Sequence, residues 1–349
     1  MEPTETTVSR GNAKELVASL EGPRESFLVV DENVLVHHPF VGEASTKRFV
    51  VPSGEEHKSW ETLGRLLEAM DEARVDRGDQ LIAFGGGVTT DLAGLGASLY
   101  RRGLPWIAVP TTLIGQVDAA CGGKTAVNLA GGKNAVGTFH LPSQLVVDPD
   151  FLTTLPLRQV QSGMVELLKT AILEGEDLLT LVEALEPASF IQTDSADQAD
   201  RVIACALTVK ESFVKDDVKD EGPRWMLNLG HSFGHAFEAL ALPDLLHGEA
   251  IGLGLLCAAR LGTHQGGEAG LEERLRKTLD TWGLPLTPPE GRASDPDALL
   301  DTMRRDKKVR KGQSTVILPL SPGRVEVMNG PSQEALRMGL EAVLEPIST

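Results

Sequence analysis

The sequence predicts an α/β protein in two parts: residues 1–150 built on a parallel sheet with helices on both faces, and residues 151–349 forming a mainly α-helical domain. Three observations predict this. Short apolar runs alternate with segments of helical period through the first half, the order strand, loop, helix, strand that gives parallel crossovers. Strand signals then thin out after a Pro-punctuated stretch ending near residue 156. The length of 349 residues suits about two domains.

Taken in order, residues 26–36, "SFLVVDENVLV", read as a strand and an acidic turn. "KSWETLGRLLEAMDEARV" (58–75) carries Trp60, Leu63, Leu66, Leu67 and Met70 at helical spacing. A strand at 80–84, a glycine loop at 85–87 and a helix of small residues follow. "PWIAVPTT" (105–112) is a buried strand ending in a Pro-Thr-Thr turn, and "SQLVVDPDFLTTLP" (143–156) adds one more strand. Residues 158–186, 195–221 and 231–265 read as helices, and 284–297 as a loop. "DALLDTMRRDKKV" is a short helix, and "STVILPLSPGRVEVM" is two short strands around a Pro-Gly turn. A last helix, "SQEALRMGLEAVL", starts at Ser332 with only a loose match to a capping box.

Composition narrows the function classes. Hydrophobic content of 41% with 24% charged residues is ordinary for a soluble globular chain. No apolar run reaches the roughly 18 residues a membrane helix needs, and the N-terminus lacks the basic and apolar regions of a signal peptide, so cytoplasm is expected. A net charge of −17 should repel nucleic acid and anionic membranes. Screening beyond about 8 Å still leaves room for a local basic cluster to bind a small anion. Cys121, Cys205 and Cys257 are too dispersed for a disulfide framework or a Cys-type zinc site and read as buried small hydrophobes.

Four motifs carry chemistry. In "AFGGGVTTDLAG" the bare backbone of Gly85, Gly86 and Gly87 precedes a helix N-terminus, which suits a dinucleotide pyrophosphate or simply a tight turn. In "QVDAACGGKTAVNLAGGKNAVGTFH" (116–140) two Gly-Gly-Lys strings end at Lys124 and Lys133, with Asn134 following. They read as an anion site or a solvated loop; Asp118 could orient Lys124 or bind a substrate hydroxyl. "SGMVELLKTAIL" sets Glu166 and Lys169 three residues apart on one helical face, as a shared site or a surface ion pair. Lys210, Arg224 and Asn228 lead into "NLGHSFGHAFEALALPDLLHGEAIGLGLL" (228–256). Three of the eight histidines fall there, His231, His235 and His247. His231 and His235 are four residues apart on a helix and share a face, as two metal ligands would. Ser232 stands where H-E-x-x-H would need glutamate.

Together the strings "GGGVTTDLAG", "VPTTLIGQVDAACGGKTAVN", "GKNAVGTFHLP", "GMVELLK", "NLGHSFGHAFE", "LHGEAIG" and "RDKKV" resemble the 3-dehydroquinate synthase family of sugar-phosphate cyclases, from about residue 80 to 320. The resemblance implies a dehydroquinate synthase-like fold: a Rossmann-like dinucleotide-binding domain and a helical metal-binding domain, with the active site between them. It implies NAD, one divalent metal (zinc, or alternatively cobalt), a homodimer and a sugar-phosphate substrate.

Position by position, the implied metal ligands are Glu166, His231 and His247. His235, Lys124, Asn134, Asn228 and Lys307 would meet the phosphate, with Arg102 reaching in from a second subunit. Lys210 and Arg224 would hold a carboxylate, and Asp118 and Lys169 would lie by the substrate hydroxyls. NAD would contact Asp31, Glu55, Lys58, Gly86, Gly87, Val88, Asp91, Thr111, Thr112 and Lys133. Among these, His235, Lys124, Lys169, Asp118 and Asn228 are the implied catalytic set.

The implied activity converts 3-deoxy-D-arabino-heptulosonate 7-phosphate to 3-dehydroquinate and phosphate. Thr89-Thr90, "GMVELLK" and Gln159 depart from the common family pattern, and "GGGVTTD" and "SLYRRGLPW" lean toward valiolone- or inosose-forming cyclases. Lys210 and Asn228 keep the dehydroquinate pattern. A metal- and NAD-dependent polyol dehydrogenase is the more distant alternative, and a non-catalytic sensor would have no need of the whole cationic set.

Overall fold

Six short strands form a single parallel sheet whose four inner strands are buried on both faces, and the continuous apolar runs of those four follow from helices covering each side. The structure, a computed structural model, describes residues 6–11, 13–19, 25–43, 45, 47–192, 196–220, 222–305 and 315–345. In chain order the first part holds β1 (Thr7–Arg10), α1 (Ala13–Ser19), β2 (Ser26–Asp31), α2 (Glu32–His37), α3 (Pro39–Glu43), β3 (Arg48–Val51), α4 (Trp60–Glu72), β4 (Gln80–Gly85), α5 (Gly87–Leu99), β5 (Trp106–Pro110), β6 (Lys124–Leu129), β7 (Gly132–Phe139) and β8 (Gln144–Val147). The sheet order is β1-β8-β5-β4-β2-β3, every pair parallel. Its core stacks Leu28, Val30, Ile82, Phe84, Ile107, Val109 and Val146 against Val34, Val41 and Phe151. Each such side chain stabilises the fold by roughly 1.5–3 kcal/mol on full burial.

Three local readings differ from the sequence expectation. The acidic stretch after β2 is a helix, because the Asp31 carboxylate accepts a hydrogen bond from the Asn33 amide and caps α2. Residues 124–139 form an antiparallel hairpin, with Thr125 and Thr138 bonded across the strands at 2.9 Å. The edge strands β1 and β3 are only four residues long, too short to announce themselves, and their pairing with β8 and β2 is set by the neighbouring strands.

The remaining elements are α6 (Leu157–Glu174), α7 (Glu176–Glu183), α8 (Ala196–Asp216), α9 (His231–Ala241), α10 (His247–His264), α11 (Leu271–Thr281), α12 (Pro296–Arg305), β9 (Thr315–Ser321), β10 (Arg324–Asn329) and α13 (Gln333–Leu344). The chain divides into two compact units, residues 1–156 with 190–219, and 157–189 with 220–349. Against the expected boundary at 150/151, the crossing falls at Pro156 and the chain returns to the first unit for α8. The reason is that α8 packs on the turns at 115–119 and 149–154, both in the first unit.

In the second unit α10 is buried almost all round, which explains its lack of a polar face. It packs on α6, α9, α11, α13 and β9. The Ser332 cap of α13 is formed, its hydroxyl accepting from the Ala335 amide at 3.1 Å. Among the described residues no helix is long and apolar enough to cross a membrane.

Candidate active site and metal centre

In the second unit, three helices bring one carboxylate and two imidazoles together. Glu166 lies mid-way along α6, while His231 and His247 are the first residues of α9 and α10. One ligand atom from each of the three falls within 4.8 Å of the others. His247 Nε2 is 3.4 Å and His231 Nε2 is 3.7 Å from Glu166 Oε1, and Lys169 Nζ is 2.5 Å from Glu166 Oε2. Glu166 is fully buried, with its Oε2 beside the Lys169 ammonium and its Oε1 facing the two imidazoles. A carboxylate buried in this way is costly unless a cation compensates it. The donor set of one oxygen and two imidazole nitrogens suits a divalent ion with open coordination positions. The Leu229 carbonyl lies 3.1 Å from His231 Nδ1 and can only accept, so that nitrogen carries the proton and Nε2 the lone pair. His235 lies beside the group, its ring centroid 5.3 Å from that of His231 and 6.1 Å from that of His247.

The charges are strongly coupled. Burial would raise the Glu166 carboxyl, but the Lys169 ammonium and His247 hold it well below the usual carboxylate range. Burial would lower His247, but its hydrogen bonds to Glu166 and Glu238 push it up to about 9. An ion bound through His247 therefore competes with a proton.

Close backbone approach sets this geometry. A Cβ on Gly248 would stand 1.9 Å from the Ser162 carbonyl oxygen of α6, and one on Gly254 would stand 2.1 Å from the Gly230 carbonyl oxygen. Glycine at these positions lets α10 touch both neighbours, which brings His247 beside Glu166 and His231. The Ser162 hydroxyl accepts from the Gly248 amide at 3.0 Å. The Glu249 carboxylate caps the Leu246 amide at 2.8 Å and pairs with Arg158 at 2.6 Å, fixing the start of α10.

The first unit gathers a separate set at the carboxyl ends of its parallel strands, where open α/β sheets bind ligands. Asp31 ends β2, Gly85 ends β4, and Thr111 and Thr112 follow β5. Gly86, Gly87 and Val88 open α5, whose N-terminus has no side-chain cap and so presents amides to an anion. Behind them Lys58 Nζ pairs with Asp91 at 2.5 Å and donates to Asn134 Oδ1 at 2.6 Å. Burial raises the Asp91 carboxyl above its ordinary value, with Lys58 opposing. Asn128 ties this network together, accepting from the Asn134 amide and donating to Glu55 at 2.8 Å. Lys133 lies 3.9 Å from Glu55. Asn134, expected at a phosphate, is thus joined to residues expected at the dinucleotide.

Asp118 sits on a π-turn, Gly115–Ala119, a distortion common at functional sites. Buried Gln116 anchors the turn, donating to the Pro110 and Asp148 carbonyls at 3.2 and 2.7 Å. Lys210 of α8 donates to both the carboxylate and the carbonyl of Asp118, which joins two residues expected at different substrate groups. Lys124 is exposed at the start of β6, and Arg102 is exposed with φ 67°. Arg224 is buried in the short helix Pro223–Asn228, where the Asn228 amide donates to the Trp225 carbonyl at 3.2 Å. Lys307 lies outside the described residues. The sequence reading missed Gln116, Asn128 and Glu238; only Gln116, a lone amide in an apolar run, carried a visible signal.

Known proteins resemble this chain over most of its length. Residues 48–162 match the model of the 3-dehydroquinate synthase N-terminal domain and residues 163–309 that of the C-terminal domain. A 3-dehydroquinate synthase of Symbiobacterium thermophilum is 40% identical over 332 residues, covering 92% of this chain and 91% of that protein. Among solved structures, 2-epi-5-epi-valiolone synthase from Streptomyces hygroscopicus subsp. jinggangensis, with NAD+ and Zn2+ bound, superposes with a TM-score of 0.87. It is 29% identical, and the match covers 97% of each chain. A 2-deoxy-scyllo-inosose synthase complexed with carbaglucose-6-phosphate, NAD+ and Co2+ shares the fold at a TM-score of 0.82 and 24% identity, covering 95% of this chain and 96% of that one. With both family domains matched in order along most of its length, the chain belongs to the 3-dehydroquinate synthase family.

Proposed function

We propose that this protein is a 3-dehydroquinate synthase, converting 3-deoxy-D-arabino-heptulosonate 7-phosphate to 3-dehydroquinate and phosphate, with NAD and one divalent ion, zinc, as cofactors. The observation that carries the reading is the convergence of Glu166, His231 and His247 on one point within a chain matched to the family over both domains. When bound, NAD supplies a reversible hydride acceptor, and the divalent ion supplies a Lewis acid that lowers the pKa of a substrate hydroxyl.

The chain's own residues bind, orient and move protons. Glu166 and the two imidazoles hold the ion. Asp31, Glu55, Lys58, Asp91, Lys133, Thr111, Thr112 and the amides of Gly86, Gly87 and Val88 hold the dinucleotide. His235, Lys124, Asn134, Asn228 and Lys307, with Arg102 of a second copy, bind the phosphate, which serves as its own base for the proton lost next to the transient ketone. Lys210 and Arg224 bind the carboxylate, and Asp118 and Lys169 orient the hydroxyls. With NAD bound to take up and give back the hydride, phosphate elimination, ring opening and an intramolecular aldol closure would follow with no net oxidation. The protein's contribution is orientation and charge placement. A cytoplasmic homodimer is part of the same reading.

Incubation with NAD, zinc and the heptulosonate phosphate tests it. Phosphate release without NADH accumulation is expected. Accumulating NADH would identify a net dehydrogenase. Preference for a seven-carbon sugar phosphate lacking the carboxylate would identify a different cyclase.

A further inference from the structure

Glu238 has no place in the roles above, yet it is buried at the metal centre. It lies seven residues after His231 on α9, two helical turns along, and therefore on the same face. Its Oε1 is 3.3 Å from His247 Nδ1, on the side of that ring away from Glu166. A carboxylate oxygen only accepts, so Nδ1 carries a proton toward Glu238, and Nε2, on the Glu166 side, is the atom left to ligate an ion once its own proton has gone. We propose that Glu238 is the positioning residue for His247: its carboxylate fixes the ring orientation and tautomer and strengthens Nε2 as a metal donor.

The helix geometry supports this. α9 supplies one ligand directly, His231, whose own Nδ1 is held by the Leu229 carbonyl. It also supplies the group that orients the ligand on α10. The two imidazoles are thereby supported differently, one by a neutral carbonyl and the other by a charged carboxylate. A charged partner on an imidazole raises its basicity and its hold on the ion. His235, Glu238 and His247 also form a second group with donor atoms within 4.8 Å, and its occupation by an ion of its own is the competing reading.

This inference rests on the metal reading above, so the test begins with the parent protein. Co2+ is titrated into the full chain against a competing chelator, and its visible absorption is recorded. The parent should bind one equivalent. E238Q, nearly isosteric, should bind about tenfold more weakly with a changed Co2+ spectrum, and E238A toward 100-fold more weakly. Thermal melts of the untitrated proteins are recorded alongside; the changed Co2+ spectrum, which loss of a simple clasp between α9 and α10 would not by itself produce, separates positioning from stability. If E238A fails to fold, E238Q alone decides. Affinity within twofold of the parent and an unchanged spectrum in E238Q would overturn the proposal. So would two equivalents in the parent with one lost in E238A, which would make Glu238 a ligand. A parent that binds no Co2+ refutes the metal reading first and this one with it.

Discussion

Replacing Gly248 by alanine should damage the metal centre without touching a ligand. The added Cβ would stand 1.9 Å from the Ser162 carbonyl oxygen and 2.7 Å from its hydroxyl. An ordinary carbon–oxygen contact is at least about 3.3 Å, so the start of α10 must retreat from α6 by about 1.4 Å. His247 is the preceding residue and moves with it, whereas metal–ligand distances tolerate about 0.2 Å. The overpacking costs about 1–3 kcal/mol, and loss of the Gly248–Ser162 hydrogen bond adds about 1 kcal/mol. A misplacement near 1 Å lowers turnover by about 100-fold. The assay is zinc retention under chelator competition, alongside phosphate release and a thermal melt. Gly252→Ala is the control on the same helix. Its Cβ would meet Leu279 at 3.4 Å, an ordinary contact, so it should keep zinc and gain up to about 1 kcal/mol from helix propensity. Parent-like zinc affinity and turnover in Gly248→Ala would refute the claim that close approach of α10 to α6 sets the site.

Glu166→Ala and His231→Ala should each abolish zinc retention and phosphate release, and retention of both would remove them from the ligand set. Zinc affinity should fall as pH drops below about 9, because the proton on His247 must leave before Nε2 can ligate. The slope should approach about tenfold per pH unit for one competing proton and flatten above that value; affinity independent of pH from 6 to 9 would contradict the coupling. Lys58→Ala strands the half-buried Asp91 carboxylate, whose pKa burial already raises, and should destabilise the protein by about 1–3 kcal/mol in urea. Lys58→Met with Asp91→Asn removes both charges and should recover much of that loss. A parent-like midpoint for Lys58→Ala would show the pair to be dispensable.

The parallel sheet was legible because β2, β4, β5 and β8 are apolar on both faces, a pattern that survives in the one-dimensional sequence. β1 and β3 were not, since a four-residue edge strand takes its order from the strand beside it. The hairpin at 124–139 was hidden by glycines and lysines that read equally well as a solvated loop. In the metal centre, local spacing paired His231 with His235, four residues apart on a helix. The carboxylate group instead joins His231 to His247, sixteen residues on, and only the family resemblance anticipated that pairing. Glu238 could not be seen, because a helical glutamate seven residues after a ligand looks like any solvent-facing acid until α10 packs over it. Lys210 and Asp118 were singled out, but their ion pair depends on α8 rejoining the first unit, which no local pattern announces.

X-ray absorption at the zinc edge of the loaded protein tests the central claim most directly. Two imidazole nitrogens at about 2.0–2.1 Å and oxygen at about 2.0–2.2 Å are expected, with one imidazole lost in His247→Ala. A sulfur neighbour at about 2.3 Å, or a spectrum unchanged by that substitution, would contradict it.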